Sequence, residues 1–410
     1  MAVQPSQRAI IDDNHIMKRI FSLLVIIPAL LLFMLPRGFA SPLYSPAWGF
    51  SIDLPEDYEF TDGDGKNSFS FTTKDGAGFD LSIYAPSTGK DQYASVEALA
   101  KDVQRRLGSS GEISSFEYRH KQAAIIELAF SLNGAKPQAM SGWGFCVELP
   151  QTGSAQGGAS ARKPLLLALA YGPANKTEIQ ALHLSALDSI APEDGDTRYP
   201  GPISEFSYPR ETRKLMKITG LDAEAWFYEE DKEAAQALVD REFNVLKRYA
   251  SGAQWKEAWT RFYRAVYRDS YDRLADAAFI IERKVNVPSR ENRDLGGQLL
   301  QWVQNFKYER DLMGSDFVNL VSACLEGRGD CDSRAMLWAL IMNQANVPAG
   351  IMVSKEYSHA MGLADLPGPG AHFTVDKKQW LVAETTAKVS IGLIGEKMSA
   401  VEGWIGIPLD

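Results

Sequence analysis

Residues 327–386 constrain the fold more than any other stretch, because the spacing of apolar residues changes there from helical to alternating. Cys331, Ala335, Trp338, Ala339 and Met342 recur on one face of a predicted helix. Asp330 or Gly329 stands where a cap belongs, and Asn346, Val347, Pro348 and Gly350 stop the helix. Residues 349–354, 358–365, 371–376 and 379–385 then read as strands. A PGPG turn occupies 367–370, and a hairpin closes at Lys377 and Lys378. His359, Met361 and Leu363 share one strand face, and Trp380, Val382 and Glu384 share another. A helix followed by such strands predicts an α+β unit, with the helix packed on an antiparallel sheet.

Three residue types in this stretch suit covalent chemistry. A thiol attacks a carbonyl as its thiolate, and the unpaired N–H groups at a helix start favour that form. Cys331 sits at such a start. His359 on one strand and Glu384 on another can meet as sheet neighbours. The carboxylate would then hold the imidazole in the tautomer that takes the thiol proton.

The motifs GDCDSRAMLWALI, SHAMGLAD and QWLVAETTAKVSIG resemble the transglutaminase-like superfamily of cysteine enzymes. The resemblance spans residues 295–395, and 299–311 looks like the helix before the cysteine helix in bacterial members. It implies a papain-like triad, with Cys331 as nucleophile, His359 as base and Glu384 as orienting acid. Members of this superfamily usually carry Asp at the third place, and this chain has Glu384. The implied activity is acyl transfer through a thioester on Cys331, most simply as a cysteine peptidase or amidase acting on a protein, a peptide or a cell-envelope component. Two alternatives stand beside it: an amine-accepting transglutaminase, and a catalytically silent binding or scaffold module.

The residues leave some assignments open. His372 is the rival base, twelve positions before Glu384. Cys331 also suits a small core residue, or a local disulfide with Cys324. The backbone N–H of Cys331 is the natural first oxyanion donor, and Gln304 is the candidate for a second. Asp330, Asp332 and Asp365 are acids that a calcium ion would use, or simply cap and turn residues. No Cys/His cluster has zinc spacing, and neither a P-loop nor a dinucleotide fingerprint is present, so no metal and no cofactor is expected.

The rest of the chain divides by composition. Residues 1–40 read as a signal peptide or membrane anchor: Lys18 and Arg19 precede an apolar run at 20–35, and Gly38, Phe39 and Ala40 offer small residues for cleavage. Met17 would be a more typical start. The expectation is export to a periplasm or beyond, with membrane proximity if the segment is retained. A formal charge of −9 argues against nucleic acid as a partner. Residues 41–200 read as an α+β domain, an antiparallel sheet with flanking helices. Its element order, from FSIDLPEDY to LHLSALDSI, is similar to PsbP-like domains, which implies a docking module without catalytic residues. His120 and His183 are expected at its surface. Residues 201–290 read as a helical connector, one helix beginning near Asp222 and another running from Trp255 past Phe279. Arg261, Arg264 and Arg268 line one side of the second, as a solvated face or as a surface for an anionic polymer or lipid headgroup. Residues 291–410 are the transglutaminase-like part.

Overall fold

The computed structural model describes residues 42–85, 93–132, 137–150, 163–285, 291–310 and 315–409. The expected targeting segment at 1–40 and nearly all of the Gly/Ser-rich loop at 151–163 lie outside the described residues. The architecture is mixed α+β with several antiparallel sheets. Among the described residues no helix is long and apolar enough to cross a membrane.

The N-terminal part begins with a short pair, β1 (Leu43–Tyr44) and β2 (Ser51–Ile52). The WGFSIDLP segment reads as a strand, yet it does not join the main sheet. It stays outside, because Ser51 bridges to Ala191 and pairs with Tyr44 instead. The main sheet has β3 (Glu59–Gly63), β4 (Ser68–Thr72), β5 (Gly78–Tyr84), β6 (Ile113–Tyr118), β7 (Lys121–Leu132), β8 (Gln138–Glu148) and β9 (Leu165–Pro173). Their spatial order is β3-β4-β5-β9-β8-β7-β6, antiparallel throughout. Helix α1 (Val96–Leu107), capped by Ser95, covers one face through Val96, Leu99, Ala100 and Val103. Helix α2 (Gln180–Asp188) covers the other. Strand alternation supplies both cores: Ala124, Ile126 and Leu128 face α1, while Ala123 and Ile125 face α2.

Three expectations for the middle of the chain are corrected. His183 is not at the surface; it is 2% exposed. Its helix is sandwiched, with Ala186 and Leu187 in the sheet core and Leu182 in the core of the following helices, which leaves little solvent face. The connector is not all helix. After α3 (Pro202–Ser207), a hairpin forms from β10 (Arg213–Lys217) and β11 (Glu224–Tyr228). Alternation at Ala225 and Phe227, both buried, outweighs the helix expected from Asp222, and α4 runs only from Asp231 to Tyr249. The long helix breaks at Leu274 into α5 (Trp255–Arg273) and α6 (Ala275–Lys284).

The third correction concerns the arginine stripe, whose guanidiniums bond to the protein itself and do not stand free on a solvated face. Arg261 lies between Glu56 and Glu242, at 3.0 and 2.7 Å, and is 2% exposed. Arg264 grips Asp53 through two hydrogen bonds of 2.9 and 2.8 Å. Arg268 donates to the carbonyls of Asp188, Ser189, Ile190 and Tyr199. The stripe therefore fastens α5 to the N-terminal part, beside a cavity of about 580 Å³ lined by these arginines, Asp53 and Asp188.

The C-terminal part comprises α7 (Asn292–Gln304), β12 (Lys307–Tyr308), α8 (Leu320–Glu326), β13 (Arg328–Gly329), α9 (Cys331–Gln344), β14 (Ala349–Ser354), β15 (His359–Ala364), β16 (His372–Val375), β17 (Lys378–Ala383) and β18 (Ile405–Pro408). The sheet order is β16-β17-β15-β14-β18, all antiparallel. The β16–β17 turn falls on Asp376 and Lys377, one residue earlier than expected, because both adopt left-handed φ of +49° and +67°. Strand β18 was not foreseen; it pairs with β14 and completes the sheet. Helix α9 is buried on nearly every side, with Trp338 against Gly362, where an added Cβ would lie 2.6 Å from the indole. A single apolar core runs from the connector helices through α9 to Leu409.

Candidate active site

Cys331 is the first residue of α9. Asp330 caps that helix, accepting from the Ser333 N–H at 2.9 Å and from its hydroxyl at 2.6 Å. Arg334, one turn on, is buried and donates to the carbonyls of Gly329 and Phe306, which pins the loop entering the helix. Cys331, Cys324 and Cys146 are all free thiols, so the local disulfide does not form. Cys331 is 8% exposed.

His359 opens β15, and Glu384 follows the last residue of β17. Their side chains meet at 2.8 Å, His359 Nε2 to Glu384 Oε2. The other carboxylate oxygen, Oε1, accepts from the Thr386 N–H at 2.7 Å and from its hydroxyl at 2.6 Å. Burial pushes this carboxyl up, but His359 and the Thr386 donors outweigh it and hold Glu384 below the usual carboxylate range. Glu384 is thus an ionised group, 2% exposed, with its partners fixed. The Trp404 ring stands edge-on to His359, 6.3 Å between centroids, and walls one side of the pair.

Helix and sheet converge at Cys331. The backbone N–H of Ala360, the residue after His359, lies near enough to the sulfur to favour its thiolate slightly. Among the described residues no hydrogen bond joins His359 to Cys331, and the Nδ1 edge of the ring makes none. In this structure Sγ bonds elsewhere: it donates to Asp332 Oδ1 at 3.2 Å. Asp332 Oδ2 accepts from the Tyr263 hydroxyl of α5. Burial raises the thiol pKa, the charges of Asp332 and Asp330 raise it further, and the Ala360 N–H offsets part of this. Asp330 itself is pushed up to about 7 by burial and by the Asp332 charge, against the Ser333 hydrogen bonds.

The other candidates fall away from this cluster. His372 lies on the edge strand β16, opposite Leu381, with Nδ1–H donating to the Gly370 carbonyl at 2.9 Å. Gln304 is not a free oxyanion donor: its amide nitrogen donates to the carbonyls of Glu384 and Val389, at 2.8 and 2.9 Å, and thereby braces the acid's loop. Asp365 pairs with Lys378 and does not join Asp330 and Asp332. No group of three or more His, Cys, Asp or Glu residues among those described could hold a metal ion.

Sequence reasoning missed the roles of Asp332, Tyr263 and Trp404 at this site. Asp332 reads from sequence as a cation ligand or as a cap and turn residue, and Tyr263 sits on a helix read as a connector. Nothing local to Trp404 signals that it ends against His359. A half-exposed phenol, Tyr308, lies beside the site, its ring under Arg334 and close enough to Cys331 for a charge on the sulfur to raise its pKa.

No protein-family model and no curated protein matches the chain. Among solved structures, the solution structure of cyanobacterial PsbP (CyanoP) from Synechocystis sp. PCC 6803 matches with a TM-score of 0.26 and 11% identity. That match covers 38% of this chain and 95% of the other.

Proposed function

We propose that the C-terminal part is a thiol acyl-transfer enzyme of transglutaminase-like design, acting as a cysteine peptidase or amidase. Cys331 attacks an amide or ester carbonyl, His359 takes the thiol proton and returns it to the leaving group, and Glu384 orients the imidazole. The acyl group leaves Cys331 for water, or for an amine in the transglutaminase variant of the reading. One observation carries this: a buried, ionised Glu384 holds His359 through Nε2, in a sheet packed against the helix that begins at Cys331. The backbone N–H of Cys331 is the first oxyanion donor. The N-terminal part serves as a PsbP-like docking module, and the basic-then-apolar segment at 1–40 exports the protein.

A second reading, a catalytically silent scaffold, is favoured by one contact, the bond from Sγ to Asp332. Labelling of the full chain with an iodoacetamide probe near neutral pH separates the two, with sites mapped by mass spectrometry. Cys146 and Cys324 are fully buried, so preference for Cys331 decides nothing by itself. Dependence on the base decides: labelling of Cys331 falls in His359→Ala if the enzyme reading holds, and stays unchanged if the scaffold reading holds.

A further inference from the structure

Resting on that reading, we infer that Asp332, anchored by Tyr263, is a positioning residue that holds the Cys331 thiol protonated and turned away from His359, so that the site rests in a restrained state. The geometry is a chain of three groups. Tyr263 Oη donates to Asp332 Oδ2, and Cys331 Sγ donates to Asp332 Oδ1 at 3.2 Å. The anchor comes from α5, a helix whose arginines bind the N-terminal part, so the connector reaches the nucleophile directly.

A carboxylate is a poor neighbour for a thiolate. It accepts the S–H hydrogen bond only while the proton is present, and its charge repels the sulfur once the proton leaves. The other ionisable groups facing Cys331 do not cancel this. Asp330, the preceding cap, adds charge of the same sign, and Tyr263 and Tyr308 are phenols held protonated by burial and these charges. Arg334 is the nearby cation and offsets part of this repulsion from a position fixed by the Gly329 and Phe306 carbonyls, but it is one positive charge against two carboxylates. His359 is engaged through Nε2 with Glu384, so its Nδ1 takes the proton only after the sulfur turns from Asp332. No bond other than S–H is broken in that step: the thiol rotates, the proton passes from Sγ to Nδ1, and thiolate and imidazolium remain. A substrate that fills the mouth and displaces Asp332, or neutralises it with a cation, releases the thiol.

The test is the pH profile of Cys331 alkylation by iodoacetamide in the full chain, with the thiolate absorbance as a second readout. Asp332→Asn keeps the shape and removes the charge. The expected result is a midpoint lower by about one pH unit and, since only the thiolate reacts, about tenfold faster alkylation at neutral pH. Asp332→Ser gives the same shift if Asn does not fold. A midpoint that is unchanged or raised in the folded variants overturns the restraint. Adding His359→Ala separates the two levels of the argument. If it slows alkylation while Asp332→Asn leaves the midpoint in place, the acyl-transfer reading stands and the restraint fails. If Asp332→Asn lowers the midpoint and His359→Ala changes nothing, the restraint stands and the acyl-transfer reading fails.

Discussion

His183 gives the structure its sharpest consequence for pH. The ring is 2% exposed, neither nitrogen has a hydrogen-bond partner among the described residues, and Trp143 lies edge-on at 6.3 Å. Burial depresses its pKa to about 4, against a smaller opposing pull from Asp75 and the Tyr171 backbone. In the unfolded chain the same ring titrates near its ordinary value of about 6.5. Between those two values the unfolded state binds a proton that the folded state refuses, so stability rises with pH across the window. The contribution is complete above the upper value and is lost as pH falls to the lower. A displacement of that size corresponds to about 3 kcal/mol, with a slope of at most about 1.4 kcal/mol per pH unit. His183→Leu removes the titration and keeps the apolar surroundings. The assay is urea unfolding of both proteins from pH 7 to pH 4, followed by tryptophan fluorescence, which includes Trp143 beside the ring. Carboxylates titrating in the same range are common to both and cancel in the difference. The wild type should lose stability relative to the variant as pH falls. A difference that stays flat with pH, or an NMR titration placing His183 near 6.5, refutes the reasoning.

Four further outcomes follow from the same structure. Arg261→Ala strands Glu56 and Glu242 without their cation, and loosening of the N-terminal part by about 3–5 kcal/mol is expected in thermal denaturation and limited proteolysis. Arg264→Ala removes a partly exposed pair with Asp53 and should cost about 1 kcal/mol or less in the same assays. Gly362→Ala pushes a methyl into Trp338, so the C-terminal core should lose about 1–3 kcal/mol, read as a lower denaturation midpoint with altered indole fluorescence. On the proposed acyl-transfer reading, Glu384→Gln should lower the activity by a factor of about 10² to 10⁴, with Cys331 alkylation falling in parallel; equal rates would remove Glu384 from the site.

Local pattern was enough for much of the C-terminal part. The cap at Asp330, the length of the apolar run to Gln344 and the stop at Pro348 specify a helix, and short apolar runs bounded by turn residues specify β14 and β15. The chemical types at 331, 359 and 384 were legible because a helix start and two adjacent strands are short-range features. What the chain order could not decide was which surfaces meet. A row of arginines reads the same whether it faces water or lands on Asp53 and Glu56, some two hundred residues away in sequence. Likewise Gln304 is equally suited to an oxyanion and to two carbonyls, and only the placement of the Glu384 loop above α7 commits it to the carbonyls. Tyr263 reaches Asp332, and Trp404 reaches His359, through packing of elements that no periodicity couples. Spacing along a chain encodes each element's own faces; the partner of a face is set by the whole core closing, because a side chain's hydrogen bonds and charge environment belong to whatever surface the fold brings against it.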